Sequence, residues 1–135
     1  MTYFIDSNIF LELELEDERK DECEQFLTKI VEGTEGGIIS DFIVYSILIE
    51  LTQKSTLTVA KNFLNFLEQT TNITIFVPNT QILSNTFNFI KKYKLDFDDA
   101  LVVSCMMANK IKRLVSFDKD FDKVNEIKRI EPNQI

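Results

Sequence analysis

The chain has 135 residues, of which 44% are apolar and 27% charged, a composition that fits one soluble globular domain with a real core. It contains no His and only two Cys, which excludes Ser–His and Cys–His catalysis and argues against a structural zinc site. The net charge of −7 argues against broad electrostatic binding of nucleic acid, although it leaves room for a nuclease whose acidic site is neutralised by metal.

Targeting and redox features favour a cytoplasmic protein. Asp6 interrupts the first apolar stretch, so no signal peptide is expected, and no apolar run is long enough to span a bilayer. Cys105 lies in an apolar helical pattern and is expected to be buried, whereas Cys23 lies in a charged helical segment and is expected to be half-exposed. Two such thiols fit a reducing compartment better than they fit a disulfide.

The chain begins with a β-prone run, Thr2–Ile5, that ends at an acidic residue, Asp6. Ser7 and Asn8 follow and are good residues for capping a helix. Asp6 therefore has two interpretations: it caps the helix itself, or a neighbour caps the helix and leaves Asp6 free as a metal ligand at a strand end. An acidic segment then leads into a second helix that ends near Val31.

The middle of the chain alternates short β-prone runs with longer helical patterns. Three glycines indicate a turn before the second strand, and Pro78 ends the third strand. The predicted elements are a strand at Ile38–Ile39, helices at Phe42–Lys54 and Leu57–Gln69, a strand at Ile73–Val77 and a helix that ends near Tyr93.

Glu50 is the only acidic residue between Phe42 and Lys54. A carboxylate in so apolar a helix is costly if it is buried without a partner, which favours a functional role. Ser46, Glu50 and Gln53 also follow helical spacing, so they form a solvent-facing stripe in the alternative interpretation. The pattern alone leaves both open.

The next helix begins with three aspartates. Asp96 is placed to cap it, and Asp98 and Asp99 lie in its first turn, where the helix dipole favours negative charge. Adjacent helical residues point about 100° apart, so only one of the pair is expected to face a given site. Asp99 is the better candidate of the two.

A final β-prone run, Arg113–Phe117, delivers Asp118 into an acidic loop. Asp120 and Asp122 follow in the same loop, which lacks the Gly and the terminal Glu of an EF-hand. Asp118, at the strand end, is the candidate site residue, and a solvated loop is the simplest interpretation of the other two. The last predicted strand is Glu126–Ile130.

This order of elements predicts an α/β fold: one domain, residues 1–135, with a mostly parallel sheet of four or five strands and helices on both faces. Sites in such sheets form beyond the carboxyl ends of the strands. Carboxylates that converge there without His are typical of a Mg²⁺ or Mn²⁺ site. The chemistry that such a site supports best is phosphodiester hydrolysis by metal-activated water.

Three segments carry a family resemblance: YFIDSNIFL, ISDFIVYSILIEL and LDFDDALVVSCMMANKIKRLVSFDKDFDKV. In their order and spacing they resemble a PIN domain, most closely the VapC-type ribonuclease toxins of bacteria and archaea. The resemblance covers nearly the whole chain. It implies catalytic and metal-binding roles for Asp6, Glu50, Asp99 and Asp118, an outer acidic role for Asp122 and supporting roles for Asn8 and Ser116.

The resemblance implies a Mg²⁺- or Mn²⁺-dependent endoribonuclease, the toxin of a type II toxin–antitoxin pair. Its implied partners are an RNA substrate, an antitoxin that presents a basic residue to the acidic site, and a second copy of the chain; no membrane is involved. The alternatives are a non-catalytic interaction domain, an RNA-processing nuclease outside toxin–antitoxin systems, and a phospho-acceptor signalling domain, for which the single Asp after the first strand is a poor match.

Basic residues near the acidic edge are candidates to guide RNA. Lys91, Lys92 and Lys94 precede Asp96 closely, so they are expected to lead into the active edge, although cations at a helix end also need no functional reason. Lys110 and its neighbours follow the far end of the next helix, roughly 15 Å away, too far to reach the same phosphate.

Overall fold

Five short parallel strands form one sheet in the computed structural model, which describes residues 1–135. The order across the sheet is β3-β2-β1-β4-β5, and every neighbouring pair is parallel. The predicted α/β class is confirmed, and the five strands agree with the predicted four or five. The strands are β1 (Thr2–Ile5), β2 (Gly36–Ser40), β3 (Ile73–Phe76), β4 (Arg113–Val115) and β5 (Lys128–Ile130).

Six helices connect and cover the strands. They are α1 (Ser7–Glu14), α2 (Lys20–Val31), α3 (Asp41–Lys54), α4 (Leu57–Gln69), α5 (Thr80–Tyr93) and α6 (Phe97–Ala108). Short 3₁₀ turns lie at Lys119–Lys123 and Pro132–Gln134. None of the helices combines the length and the apolar character needed to cross a bilayer.

The core is one continuous cluster of 30 buried apolar residues. In β1, the central strand, Tyr3, Phe4 and Ile5 are all buried although successive residues point to opposite faces. Both faces of the sheet are therefore covered, as parallel sheets require. Against this sheet α1 packs on α2 and α3, and α5 packs along α6.

The second strand differs from its prediction. The sequence predicted a turn at the glycines and a strand only at Ile38–Ile39, but β2 begins at Gly36. A Cβ atom on Gly37 would lie 2.6 Å from Cδ1 of Ile5, so this glycine lets β1 and β2 approach. Its role is close packing, which the sequence pattern did not indicate.

Two further expectations are corrected. The last two strands are shorter than predicted, since β4 ends at Val115 and β5 starts at Lys128. Cys23 is fully buried rather than half-exposed, because it lies on the apolar side of α2. Burial raises the pKa of both Cys23 and Cys105 to about 12, so neither thiol is reactive near neutral pH.

Candidate active site

Asp6 stands at the carboxyl end of β1 and begins α1. Its Oδ1 accepts a hydrogen bond from the Ser7 backbone N–H at 2.8 Å, which caps the helix. Its Oδ2 accepts from the Ser116 hydroxyl at 2.6 Å and from the Asn8 side-chain amide at 3.2 Å. Asp6 also lines a pocket, which we call the acidic pocket because its other acidic residues are Glu50, Asp98 and Asp99. The capping interpretation of Asp6 is therefore confirmed, and neither Ser7 nor Asn8 takes over the cap. The role of Asp6 as a metal ligand stays a prediction.

Ser116 joins the ends of two neighbouring strands. It is fully buried, and its hydroxyl donates to Asp6 while accepting from the Asp118 backbone N–H at 3.0 Å and from Asn8 Nδ2 at 3.3 Å. Asn8 Oδ1 in turn accepts from the Phe117 backbone N–H at 3.3 Å. These hydrogen bonds fix the carboxylate after β1 relative to the loop after β4. Asn8 and Ser116 thus contact Asp6 directly, and their supporting roles in a functional site stay a prediction.

Three carboxylates from two segments form a compact cluster. Oxygens of Asp99, Asp118 and Asp120 all lie within 4.8 Å of one another. Asp99 belongs to the first turn of α6, and Asp118 begins the 3₁₀ turn, where its Oδ1 accepts from the Asp120 backbone N–H at 2.9 Å. Asp120 is exposed, as a solvated loop residue should be, yet it joins the cluster. The sequence pattern did not indicate Asp120 as a site residue, although its spacing of two residues from Asp118 was visible.

Burial and neighbouring acids raise the pKa values of two carboxyl groups at this edge, those of Asp99 and Asp6. Burial, followed by repulsion from Asp98, Asp118, Asp6 and Asp96, raises the pKa of Asp99 to about 7. Burial also raises the pKa of Asp6, and hydrogen bonds from Ser116 and Ser7 partly oppose that effect. Mutual repulsion therefore connects the acid after β1 with those after β4 and at the start of α6.

Glu50 lines the same pocket, which has a volume of about 350 Å³ and also contains Asp6, Asp98 and Asp99. Its carboxylate pairs with Lys54 one helical turn later at 2.6 Å, and its side chain is 35% exposed. Glu50 is therefore half-exposed, as a solvent-facing stripe requires, and it also lines the pocket that contains the acids. Its functional role stays a prediction. Asp98 is the more exposed of the adjacent aspartates, whereas Asp99 belongs to both the pocket and the cluster.

The predicted outer acid, Asp122, is not part of the cluster and is bound to an arginine. Arg129 Nε and Nη2 donate to its two oxygens at 2.8 and 3.3 Å. Asp122 is therefore charge-compensated, whereas the structure gives no ion pair to Asp6, Asp99, Asp118 or Asp120.

The three lysines at the end of α5 differ in their surroundings. Lys92 pairs with Glu126 at 2.8 Å, whereas Lys91 and Lys94 are exposed and have no ion pair. Lys94 adopts a left-handed conformation, with φ of 55°, that ends the helix two residues before the N-cap of α6. The guiding role predicted for this group stays a prediction, and Lys92 already has a partner.

The donor set fits a hard divalent cation. All candidate ligands offer carboxylate oxygens, the type that Mg²⁺ and Mn²⁺ prefer, and no His or reactive Cys lies among them. Uncompensated carboxylates this close repel one another, and a cation would relieve that repulsion. Their position at the carboxyl ends of β1 and β4 is where sites form in parallel sheets.

Comparison with known families agrees with this geometry. The family model for the PIN domain matches residues 3–127, nearly the whole chain. The chain belongs to the PIN domain family. This confirms the predicted resemblance, whereas no curated protein matches the chain by sequence.

Solved toxin structures share this PIN fold. The VapC20 toxin of Mycobacterium tuberculosis, described as cleaving the sarcin–ricin loop, superposes with a TM-score of 0.78 at 14% identity over 93% of this chain and 95% of that one. A toxin–antitoxin complex from Klebsiella pneumoniae gives 0.74 at 17% identity over 96% and 97%. VapBC2 from Rickettsia felis, bound to a promoter DNA fragment, gives 0.73 at 15% over 97% and 98%.

Proposed function

We propose that this PIN domain is a Mg²⁺- or Mn²⁺-dependent endoribonuclease. The observation that carries the proposal is a group of aspartates without ion-pair partners at the carboxyl edge of the sheet. Asp6, Asp99 and Asp118 are the ligands we assign first. Glu50, which lines the pocket from α3, and Asp120, which the cluster includes, are additional oxygen donors.

A bound ion would supply an activated water and the positive charge that stabilises the transition state of phosphodiester cleavage. The chain's own residues do the positioning. The Ser116 hydroxyl donates to Asp6 Oδ2 at 2.6 Å, and such a bond favours the ionised carboxylate that a metal needs. The same hydroxyl accepts from the Asp118 backbone N–H, so a single side chain aligns two of the assigned ligands.

RNA cleavage in the presence of Mg²⁺ or Mn²⁺ tests this proposal. We expect cleavage of a structured RNA that stops with EDTA, and a loss of at least about a hundredfold in Asp99→Asn and Asp118→Asn, because each removes a metal ligand and its charge. Asp21→Asn is the matched control, since Asp21 is an exposed acid on α2. Full activity in both site variants, or activity that persists in EDTA, would contradict the proposal.

The proposal extends to a toxin that an antitoxin holds inactive. The fold is shared with toxin–antitoxin complexes, which supports such a partner. Phe42, Tyr45 and Ile49 are 40%, 57% and 54% exposed along one side of α3, and Phe42 and Ile49 line the acidic pocket. An antitoxin segment that combines apolar side chains with a basic residue would match this surface, and we also infer a homodimer from the family resemblance.

Expression in a bacterial host tests the toxin role. We expect growth arrest with the wild-type chain, no arrest with Asp99→Asn, and relief when the small protein encoded beside it is co-expressed. Cleavage activity without growth arrest and without such a neighbour would instead favour an RNA-processing role.

A further inference from the structure

Arg129, on the edge strand β5, makes contacts that the proposed chemistry does not yet use. Its side chain is only 11% exposed, and all three guanidinium nitrogens donate. Nε and Nη2 bind the two oxygens of Asp122, and Nη1 binds the Ser116 carbonyl at 2.9 Å and Glu131 Oε1 at 3.1 Å. The guanidinium group is planar and rigid, so few arrangements of partners can form all of these hydrogen bonds at once. The position of Arg129 relative to its partners is therefore well defined.

The contacts of Arg129 enclose one segment, residues 116–123, which we call the acidic loop. Arg129 holds its first residue, Ser116, through the backbone carbonyl, and its seventh, Asp122, through the side chain. Between these two points lie Asp118 and Asp120, the two loop carboxylates of the cluster. The loop is therefore fastened on both sides of its metal-ligand candidates by a single side chain.

Further contacts lock the same loop to β5. The Ser116 backbone N–H donates to the Ile130 carbonyl at 3.1 Å, next to Arg129. A second arginine, Arg19, binds the other oxygen of Glu131 at 2.7 Å and lies over the Phe117 ring at 3.8 Å. Arg129 thus has little freedom to follow a loop that moves.

We propose that Arg129 is a positioning residue for the metal ligands, acting through the Ser116 carbonyl and Asp122 to hold Asp118 and Asp120 against Asp99. This inference rests on the proposed metal site and deepens it. Arg129 does not touch the cluster carboxylates; it orients the backbone that carries them. Replacement of groups that orient metal ligands weakens metal binding by about 10- to 100-fold.

Mn²⁺ titration by calorimetry, without RNA, tests the proposal on Arg129→Met, Arg129→Lys and Asp122→Asn. We expect the Mn²⁺ dissociation constant to rise about tenfold or more in Arg129→Met. Arg129→Lys keeps the charge but cannot bind Asp122 and the Ser116 carbonyl as a fork, so it should recover only part of the affinity. The double variant Arg129→Met with Asp122→Asn should bind Mn²⁺ little worse than Arg129→Met alone, because each of the two changes removes the same contact between Arg129 and Asp122.

Hydrogen exchange of the metal-free protein gives a second readout. The Asp118 and Asp120 amides donate to Ser116 Oγ and Asp118 Oδ1, so both should exchange faster in Arg129→Met. Ile30→Val is the control for general destabilisation. Ile30 is fully buried on α2, and its carbonyl accepts from Asn72, which directly precedes β3 and so lies at the opposite edge of the sheet. It should lower the melting temperature while leaving Mn²⁺ affinity unchanged.

The outcomes separate this inference from the proposed function. Wild-type Mn²⁺ affinity and unchanged amide exchange in Arg129→Met would overturn the positioning role while leaving the metal site in place. Equal weakening of Mn²⁺ binding in Ile30→Val would also overturn it, because the effect would then be general. If the wild type binds no Mn²⁺, or binds it no better than Asp99→Asn does, the proposed function fails and this inference fails with it.

Discussion

At the scale of one residue, Asp99 shows the electrostatic cost of holding several carboxylates close together. Its carboxyl group is partly buried among other acids, and its pKa of about 7 means that it is half-protonated near neutral pH without a cation. A metal ion binds the ionised form, so binding there must release a proton below that pH. The protonation state of Asp99 therefore depends both on the neighbouring carboxylates and on whether a metal ion is bound.

The first prediction concerns pH and metal-free stability. Because the pKa of Asp99 is raised on folding from 3.8 to about 7, the native state binds more protons than the unfolded state between these values. Stability should therefore fall as pH rises through this window. Three pKa units correspond to about 4 kcal/mol at most, and solvent screening of this partly exposed group reduces that to roughly 1–2 kcal/mol.

Urea denaturation in EDTA at about pH 5 and about pH 8 measures this effect. Asp99→Asn should exceed the wild type by a smaller margin at the lower pH than at the higher one, because the loss begins at the unfolded pKa of 3.8 and is nearly complete above about 7. Added Mn²⁺ should make the wild type the more stable protein at the higher pH. A smaller slope should remain in the variant because the pKa of Asp6 is also raised. Glu126 and Glu131 have lowered pKa values and lose their contribution only in more acidic solution, outside this window. A wild type that gains stability relative to Asp99→Asn with rising pH would contradict the prediction.

At the scale of elements, the contact between β1 and β2 sets the position of the first acid. Ile5 is fully buried and directly precedes Asp6, and its Cδ1 fills the space where a side chain on Gly37 would begin. Gly36 is less confined, since a Cβ there would lie 3.2 Å from Thr2 Oγ1 at its closest. The two adjacent glycines therefore form a matched pair for experiment.

Gly37→Ala should destabilise the protein by about 1–3 kcal/mol, the usual cost of overpacking, because the new methyl group displaces Ile5. Gly36→Ala should cost clearly less. Urea denaturation of both variants measures the difference, and Mn²⁺ titration shows whether displacement of Ile5 also disturbs Asp6. Equal stability of the two variants would show that Ile5 adapts without strain.

Elements such as these also show what the sequence could predict. The strand–helix order, the helices around Glu50 and Asp99, and the strand ends at Asp6 and before Asp118 followed from local hydrophobic patterns. The strand role of Gly37 depends on Ile5, more than thirty residues away, and no local pattern contains that contact. The inclusion of Asp120 depends on the turn at Asp118 and on the approach of α6, which are also tertiary features.

At the scale of the whole molecule, a net charge of −7 opposes RNA at long range. RNA binding must therefore depend on local cations. At the end of α5, Lys91 and Lys94 have no ion-pair partner, whereas Lys92 forms an ion pair with Glu126. The chain turns directly from these lysines into the first turn of α6, which carries Asp99. Lys110 and Lys112 follow the other end of α6, roughly 15 Å along its axis from Asp99.

The last prediction compares these two pairs of lysines in the Asp99→Asn background, where RNA should stay intact. Lys91→Ala with Lys94→Ala should weaken RNA binding and reduce the salt dependence by about 1.5 units of slope, because two phosphate contacts are lost. Lys110→Ala with Lys112→Ala changes the net charge equally and also includes one residue with a left-handed backbone, since φ is 55° at Lys94 and 56° at Lys110. Binding measured by fluorescence anisotropy across a salt series should therefore distinguish position from charge. Equal effects of the two pairs would indicate only long-range electrostatics, and an unchanged salt slope in the first pair would reject RNA guidance by the end of α5.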